Sequence, residues 1–219
     1  MKINPTYTKA ELLNRLTFRC EHRHSGLSHP RCYDKKFKYT EKIGFFDIEA
    51  SNLSADFGYM ISYCIKKEGG AIIARAVTPR EIRKGTTDWR LCQQFVKDSE
   101  QFDRLIGHYS CRFDLPFVRT RCIIQGVEYP VYGSLMQKDT WRVARDKFKF
   151  HSNRLEAIAN ALHIPAKGHK LDPERWQQAQ AGNQKAIDFI VKHNKEDVIA
   201  TEMIWHKIRD SIKLTNTSI

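Results

Sequence analysis

Residues 42–50 read KIGFFDIEA. Apolar side chains on successive positions describe a short strand buried on both faces, as in the interior of an α/β sheet. Asp47 and Glu49 interrupt it two residues apart, so both carboxylates leave the same face. Burying charge in such a run costs free energy unless something compensates its desolvation, and a bound cation is the usual compensation.

Downstream, GYMISYCIKK (58–67) and GGAIIARAVT (69–78) read as two more strands, with Gly69-Gly70 turning the hairpin between them. Residues 87–102 are amphipathic, with Trp89, Cys92, Phe95 and Val96 spaced for one helical face. RLIGHYS (104–110) reads as a fourth strand, followed by a helix over 112–125 that stops at Gly126. Ser152 caps a helix on NRLEAIANAL before the break at Pro165; Pro173 opens another through Ala181, and residues 184–209 form the last and longest. Upstream, residues 8–18 have a helical pattern with Leu12, Leu13 and Leu16 on one face, whereas 20–38 show no core-forming pattern. The expected fold is α/β, a mixed sheet with flanking helices over residues 41–219, preceded by a small basic segment over 1–40.

Composition narrows the function classes. The 219 residues are 41% hydrophobic and 28% charged, the balance of a soluble globular chain. No apolar run is long enough for a bilayer span, the start lacks a secretory pattern, and six scattered cysteines do not form a disulfide framework. A cytoplasmic, reducing setting is expected. Lys and Arg outnumber Asp and Glu by 37 to 25, a net +12, and residues 1–42 alone hold ten basic and four acidic side chains. Such a field attracts polyanions, nucleic acid foremost, although a solvated basic surface is the plainer reading of charge alone.

Two further acids stand with the strand pair. Asp114 falls at a helix start in SCRFDLPFV, and Asp197 within the last helix in HNKEDVIA, with His193 one turn before it. Carboxylates drawn from a strand and two helices can surround two hard divalent ions about 4 Å apart, the arrangement of metal-assisted phosphodiester hydrolysis. A neutral His193 beside the attacking water can take its proton. The plainer readings are a helix cap for Asp114 and a surface ion pair with Lys195 or Arg209 for Asp197.

In this order and spacing, FFDIEA, GHYSCRFDLPFV and HNKEDVIA resemble the three motifs of the DEDD exonucleases, a superfamily of ribonuclease H-like fold that includes polymerase proofreading domains. The resemblance covers residues 43 to about 209. DTW (139–141) and the stretch 153–170 add to it, and the nearest subgroup is that of bacterial and phage domains with a Tyr-x-x-x-Asp third motif. It implies metal-dependent 3′→5′ removal of nucleotides, with Asp47, Glu49, Asp114 and Asp197 holding two Mg²⁺ or Mn²⁺. There are two departures. His193 stands four residues before Asp197, where the family has Tyr at four or His at five; Tyr109 stands where Asn is frequent.

The segment CEHRHSGLSHPRC (20–32) places two Cys and three His within thirteen residues. Cys20, His24, His29 and Cys32, with His22 competing for the place of His24, have a spacing suited to one tetrahedral zinc; the alternative is a flexible His-rich arm touching phosphates. Cys64, Cys92, Cys111 and Cys122 lie on apolar elements and read as core. Tyr109, Lys167 and Lys170 are the candidate substrate contacts, and Asp139 reads as a positioning residue.

With the resemblance, these features lead to the expectation of a metal-dependent nuclease in the cytoplasm of a bacterial or phage-infected cell, a 3′→5′ exonuclease on single-stranded DNA or RNA ends. A resolvase-like endonuclease and a non-catalytic nucleic-acid-binding protein of the same fold are the alternatives.

Overall fold

The computed structural model describes residues 9–37, 41–165, 172–212 and 217–218. Lys167 and Lys170, and the expected boundary near residue 40, lie outside them. Among the described residues six strands form one mixed sheet in the order β3-β2-β1-β4-β5-β6. They are β1 (Ile43–Ala50), β2 (Met60–Lys67), β3 (Ile72–Ala76), β4 (Arg104–Gly107), β5 (Met136–Asp139) and the two-residue β6 (Thr217–Ser218). β1, β2 and β3 are antiparallel, β1 pairs β4 and β4 pairs β5 in parallel, and β6 returns antiparallel.

Strand alternation sorts the two faces. Phe46 pairs with Ile65 and Ile48 with Tyr63. Their face packs on α4 (Trp89–Ser99) through Leu91, Cys92 and Phe95, and on α5 (Asp114–Ile124) through Phe117, Val118 and Cys122. The opposite face carries Phe45, Asp47 and Glu49 of β1 and lies under α9 (Gln184–Ile208), whose Val198 and Trp205 close on Phe45, Cys64 and Ile106. α9 is also pinned by polar contacts. Buried Glu202 accepts from the backbone N–H of Gly69 at 2.8 Å and pairs with Lys66 at 2.8 Å, tying the helix to the β2–β3 hairpin. Gly69 sits at φ +62°, a turn conformation most side chains avoid. α8 (Pro173–Gln180) leads into α9, and α6 (Thr140–Lys147) and α7 (Leu155–Ala161) pack against its carboxyl-terminal half.

A buried ion pair clamps α4 to α5. Asp88, fully buried ahead of α4, receives Arg121 of α5 through both carboxylate oxygens at 2.9 and 2.8 Å. The same carboxylate accepts from the Met60 N–H at 2.8 Å and from Gln125 at 2.9 Å.

Several expectations are corrected. α2 (Pro30–Phe37), α3 (Pro79–Lys84) and α6 are helices without a marked apolar repeat, and β5 and β6 are strands too short to show alternation. α1 (Lys9–Thr17) exists, but Leu13 and Leu16 are 53% and 44% exposed, and Arg15 is its buried residue, its guanidinium 4.4 Å from the Tyr33 ring centre. Trp89 opens α4 and is 46% exposed rather than facing the core. Ser152 does not cap its helix: its hydroxyl accepts from Arg154 N–H, and α7 begins at Leu155. Cys111 is half-buried and donates to Asp139 at 2.8 Å, so it is no core thiol.

Arg121→Met keeps side-chain bulk but strands the Asp88 carboxylate without its cation. The variant is expected to lose about 3–5 kcal/mol of stability in urea unfolding; a loss under 1 kcal/mol would show that the clamp is dispensable.

Candidate metal and nucleic-acid site

β1 and β4 stay paired only to Phe45 and Ile106. Beyond this the chain leaves the sheet at Gly107, where a Cβ would press on the Ser110 side chain and on the Phe46 ring at 3.0 Å. The divergence removes the strand partner of the Ile48 N–H, and Asp114 Oδ1 accepts it instead at 3.0 Å. Asp114 opens α5 but does not serve it as a side-chain cap; its carboxyl turns back to β1, fully buried. Burial pushes its pKa up to about 7. The Ile48 N–H and its own N–H oppose the shift, and the Asp139 and Asp197 carboxylates add to it.

On the α9 side, Glu49, His193 and Asp197 offer metal-ligating atoms that all lie within 4.8 Å of one another. His193 Nε2 is 3.7 Å from Asp197 Oδ2, one helical turn apart, and both residues are buried beneath the helix. Asp47, one pleat before Glu49, accepts from Asn194 Nδ2 at 2.8 Å. Cys64 lies opposite Asp47 on β2; burial first, then the Asp47 carboxylate, pushes its thiol pKa far up, with Lys195 opposing and Glu49 and Asp197 adding. Negative charge is therefore concentrated at this crossing. Asp197 is not the surface ion pair of the plainer reading: Arg209 reaches Glu68, at 3.3 Å.

The structure thus brings Glu49, His193 and Asp197 into one tight group, with Asp47 held beside it by Asn194 and Asp114 behind β1. Neither Asp47 nor Asp114 is in the 4.8 Å group. Asn194 was missed by the sequence reading, although it directly follows His193. Two buried polar atoms border the carboxylates with no hydrogen-bond partner among the described residues, the Asn194 Oδ1 and the hydroxyl of Ser62, which pairs with Glu49 across the strands. A hydrated hard cation suits such surroundings, since its waters supply the missing partners.

Asp139 has the positioning geometry expected of it. Oδ1 accepts from the N–H groups of Tyr109 and Trp141, each at 2.9 Å, and of Arg142 at 3.3 Å; Oδ2 accepts from Cys111 N at 3.1 Å and its thiol at 2.8 Å. This collar holds Tyr109 at φ +63°, with its ring exposed and edge-on to Trp141 at 4.9 Å; Arg145 lies 4.7 Å over the indole. His108 is a structural residue, bound to Thr140 and the Asn153 carbonyl at 2.9 Å each. In the amino-terminal segment Cys20, His22, His29 and Cys32 form a second group within 4.8 Å; His22, not His24, completes it.

The raised Asp114 pKa has a signed consequence. An unfolded Asp releases its proton near pH 3.9, whereas folded Asp114 keeps it to about 7. The folded state binds more protons between these values, so its contribution to stability is full below about pH 4 and is lost as pH rises through 7. With chelator present, the Tm of wild type is expected to fall over this window more steeply than that of Asp114→Asn, which keeps an acceptor for Ile48. Parallel pH profiles would contradict the shift.

Comparison with known proteins bears on the fold and the family. The family model RNase_H_2, described as RNase_H superfamily, matches residues 44–209. No curated protein matches. The fold is similar to the structure of the family B DNA polymerase from the hyperthermophilic archaeon Pyrobaculum calidifontis, with a TM-score of 0.65 at 17% identity; the match covers 78% of this chain and 25% of that one. No helix among the described residues is long and apolar enough to cross a membrane. With its sheet order, its acidic crossing and three quarters of its length matched, the chain belongs to the RNase H superfamily.

Proposed function

We propose that the chain is a metal-dependent nuclease that removes nucleotides from the 3′ end of a single strand. The observation that carries this reading is the convergence of Glu49, His193 and Asp197 on one point, with Asp47 fixed beside them. The carboxylates are hard oxygen donors, a set that fits Mg²⁺ or Mn²⁺, with the His193 imidazole beside them as a base. Bound divalent ions supply polarisation of water and neutralisation of charge at the scissile phosphate.

The chain's own residues do the rest. Glu49 and Asp197 bind from opposite elements, a strand and a helix, so neither moves without disturbing the sheet. Asn194 orients Asp47 through Oδ2. Asp114 holds the β1 backbone where β4 leaves it, and becomes an available carboxylate as it ionises near neutral pH. His193, one helical turn before Asp197, takes a proton from water. Tyr109, braced by the half-buried Trp141 and by Asp139, offers an exposed ring on which a terminal base stacks. The excess of +12 gathers the polyanion.

A 5′-labelled oligonucleotide incubated with Mn²⁺ is expected to give a ladder of shortening products, abolished by chelator, Asp47→Asn or Asp197→Asn. A single internal cut would instead identify an endonuclease, and tight binding without turnover a non-catalytic binding protein. Asn194→Ala is expected to slow turnover about 10–100-fold, the usual effect of removing a group that orients a metal ligand. His193→Gln should flatten the acidic limb of the pH–kcat/KM profile; an unchanged limb would remove His193 from proton transfer.

A further inference from the structure

The amino-terminal segment has an architecture the nuclease reading does not use. Arg19 and Ser25 form an antiparallel bridge, and between them Cys20 N–H donates to the His24 carbonyl at 3.0 Å and Arg23 N–H to the Cys20 carbonyl at 2.7 Å. This tight turn, with Arg23 at φ +63°, throws Cys20 and His22 toward one side. His29 immediately precedes α2, and Cys32 lies in its first turn. Two ligands thus come from a hairpin turn and two from the start of a helix, in the spacing C-x-H-x6-H-x2-C.

The distances suit zinc. A tetrahedral ion at Zn–S of about 2.3 Å and Zn–N of about 2.0–2.1 Å separates sulfur from nitrogen by about 3.5 Å. Cys20 Sγ lies 3.3 Å from His29 Nδ1 and 3.8 Å from His22 Nδ1, and Cys32 Sγ lies 3.8 Å from His22 Nδ1. The three values bracket the tetrahedral edge. The rest of the segment gathers around it: Tyr33 is buried between Phe18 at 5.3 Å and Phe37 at 4.4 Å, and Arg15 pairs with Asp34 at 2.8 Å. Gly26 N–H donates to the Arg15 carbonyl at 2.7 Å, where a Cβ would strike the Tyr33 ring.

We propose that Cys20, His22, His29 and Cys32 bind one structural zinc ion, which joins the turn at residues 20–24 to α2 and so orders the amino-terminal segment. All four positions are protein ligands, so the site is closed and not catalytic. The site stands without the nuclease reading.

Elemental analysis of the purified full-length chain is expected to find about one zinc per molecule. Cobalt substitution should give thiolate charge-transfer bands and the visible absorption of a tetrahedral centre. Cys32→Ser and His22→Ala should lose the metal, and His24→Ala should retain it. No zinc and no cobalt bands in wild type would overturn the site, and loss in His24→Ala with retention in His22→Ala would overturn the ligand set. Because a ligand variant can misfold, wild-type cobalt titration provides the independent reading. Zinc retained without nuclease activity would count against the nuclease reading alone.

Discussion

Like charges are crowded where α9 crosses β1, and much of the structure is arranged around tolerating that. Ligand atoms of Glu49 and Asp197 fall within 4.8 Å of each other. Two ionised carboxylates at that separation repel by about 3 kcal/mol even at an effective dielectric of 20. Asp47 adds to the field: after burial, its carboxylate with those of Glu49 and Asp197 raises the Cys64 thiol pKa, and Asp139 and Asp197 add to the burial that raises Asp114. A sheet and a helix carrying this repulsion must be held together by something other than the site. Val198 and Trp205 provide apolar contact on one side, and Glu202 is tied to Lys66 and the Gly69 N–H one turn beyond Asp197. Those contacts fix both the height and the rotation of α9, which is what aims Asp197 and His193 at β1.

The buried acids divide by what satisfies them. Asp88 has Arg121, Gln125 and a backbone N–H; Asp98 has Tyr63 at 2.8 Å and Arg75 at 3.1 Å; Asp139 has four backbone N–H groups and a thiol. Donors of this number leave little capacity for a ligand. Asp114 has only backbone N–H donors against complete burial, so desolvation prevails and the proton stays on to near neutrality. Residue type alone therefore does not distinguish structural from chemical acids here. The number of donors and the neighbouring charge do.

That distinction also explains what could be read from sequence. β1 was legible because eight consecutive residues combine two-sided burial with two acids on one face, and the β2–β3 hairpin because Gly69-Gly70 separates two β-rich runs. α9 was legible because it is long enough to show its period. The short elements were not: β5 is four residues of Met-Gln-Lys-Asp, paired to β4 by sheet hydrogen bonds that no periodicity announces. α1 misled because Leu12, Leu13 and Leu16 satisfy a helical pattern while the buried contact belongs to Arg15, whose guanidinium packs on Tyr33. Within the site, residues acting through a carboxylate they donate to escaped notice. Asn194 and the donor set around Asp139 are visible only once distant segments meet. His22 and His24 are equivalent by composition, and only the tight turn at Arg23 selects between them.

Size makes the same turn consequential for the amino-terminal segment. Residues 9–37 bury Tyr33, Arg15 and Cys20 but little else, and a segment below about 40 residues rarely buries enough apolar surface to offset its own conformational entropy. Its order must come from a few strong contacts, and a metal bound by two thiolates and two imidazoles is worth many kcal/mol of folding free energy in zinc-dependent modules. The cationic side chains of α2, Arg31, Lys35 and Lys36, gain from that order in a specific way. On a disordered arm they would contribute only diffuse attraction, screened beyond about 8–10 Å in physiological salt. On an ordered α2 the same charges keep a fixed spacing relative to one another. The charge asymmetry first visible as ten basic residues among the first 42 then bears on the geometry of binding as well as on its strength.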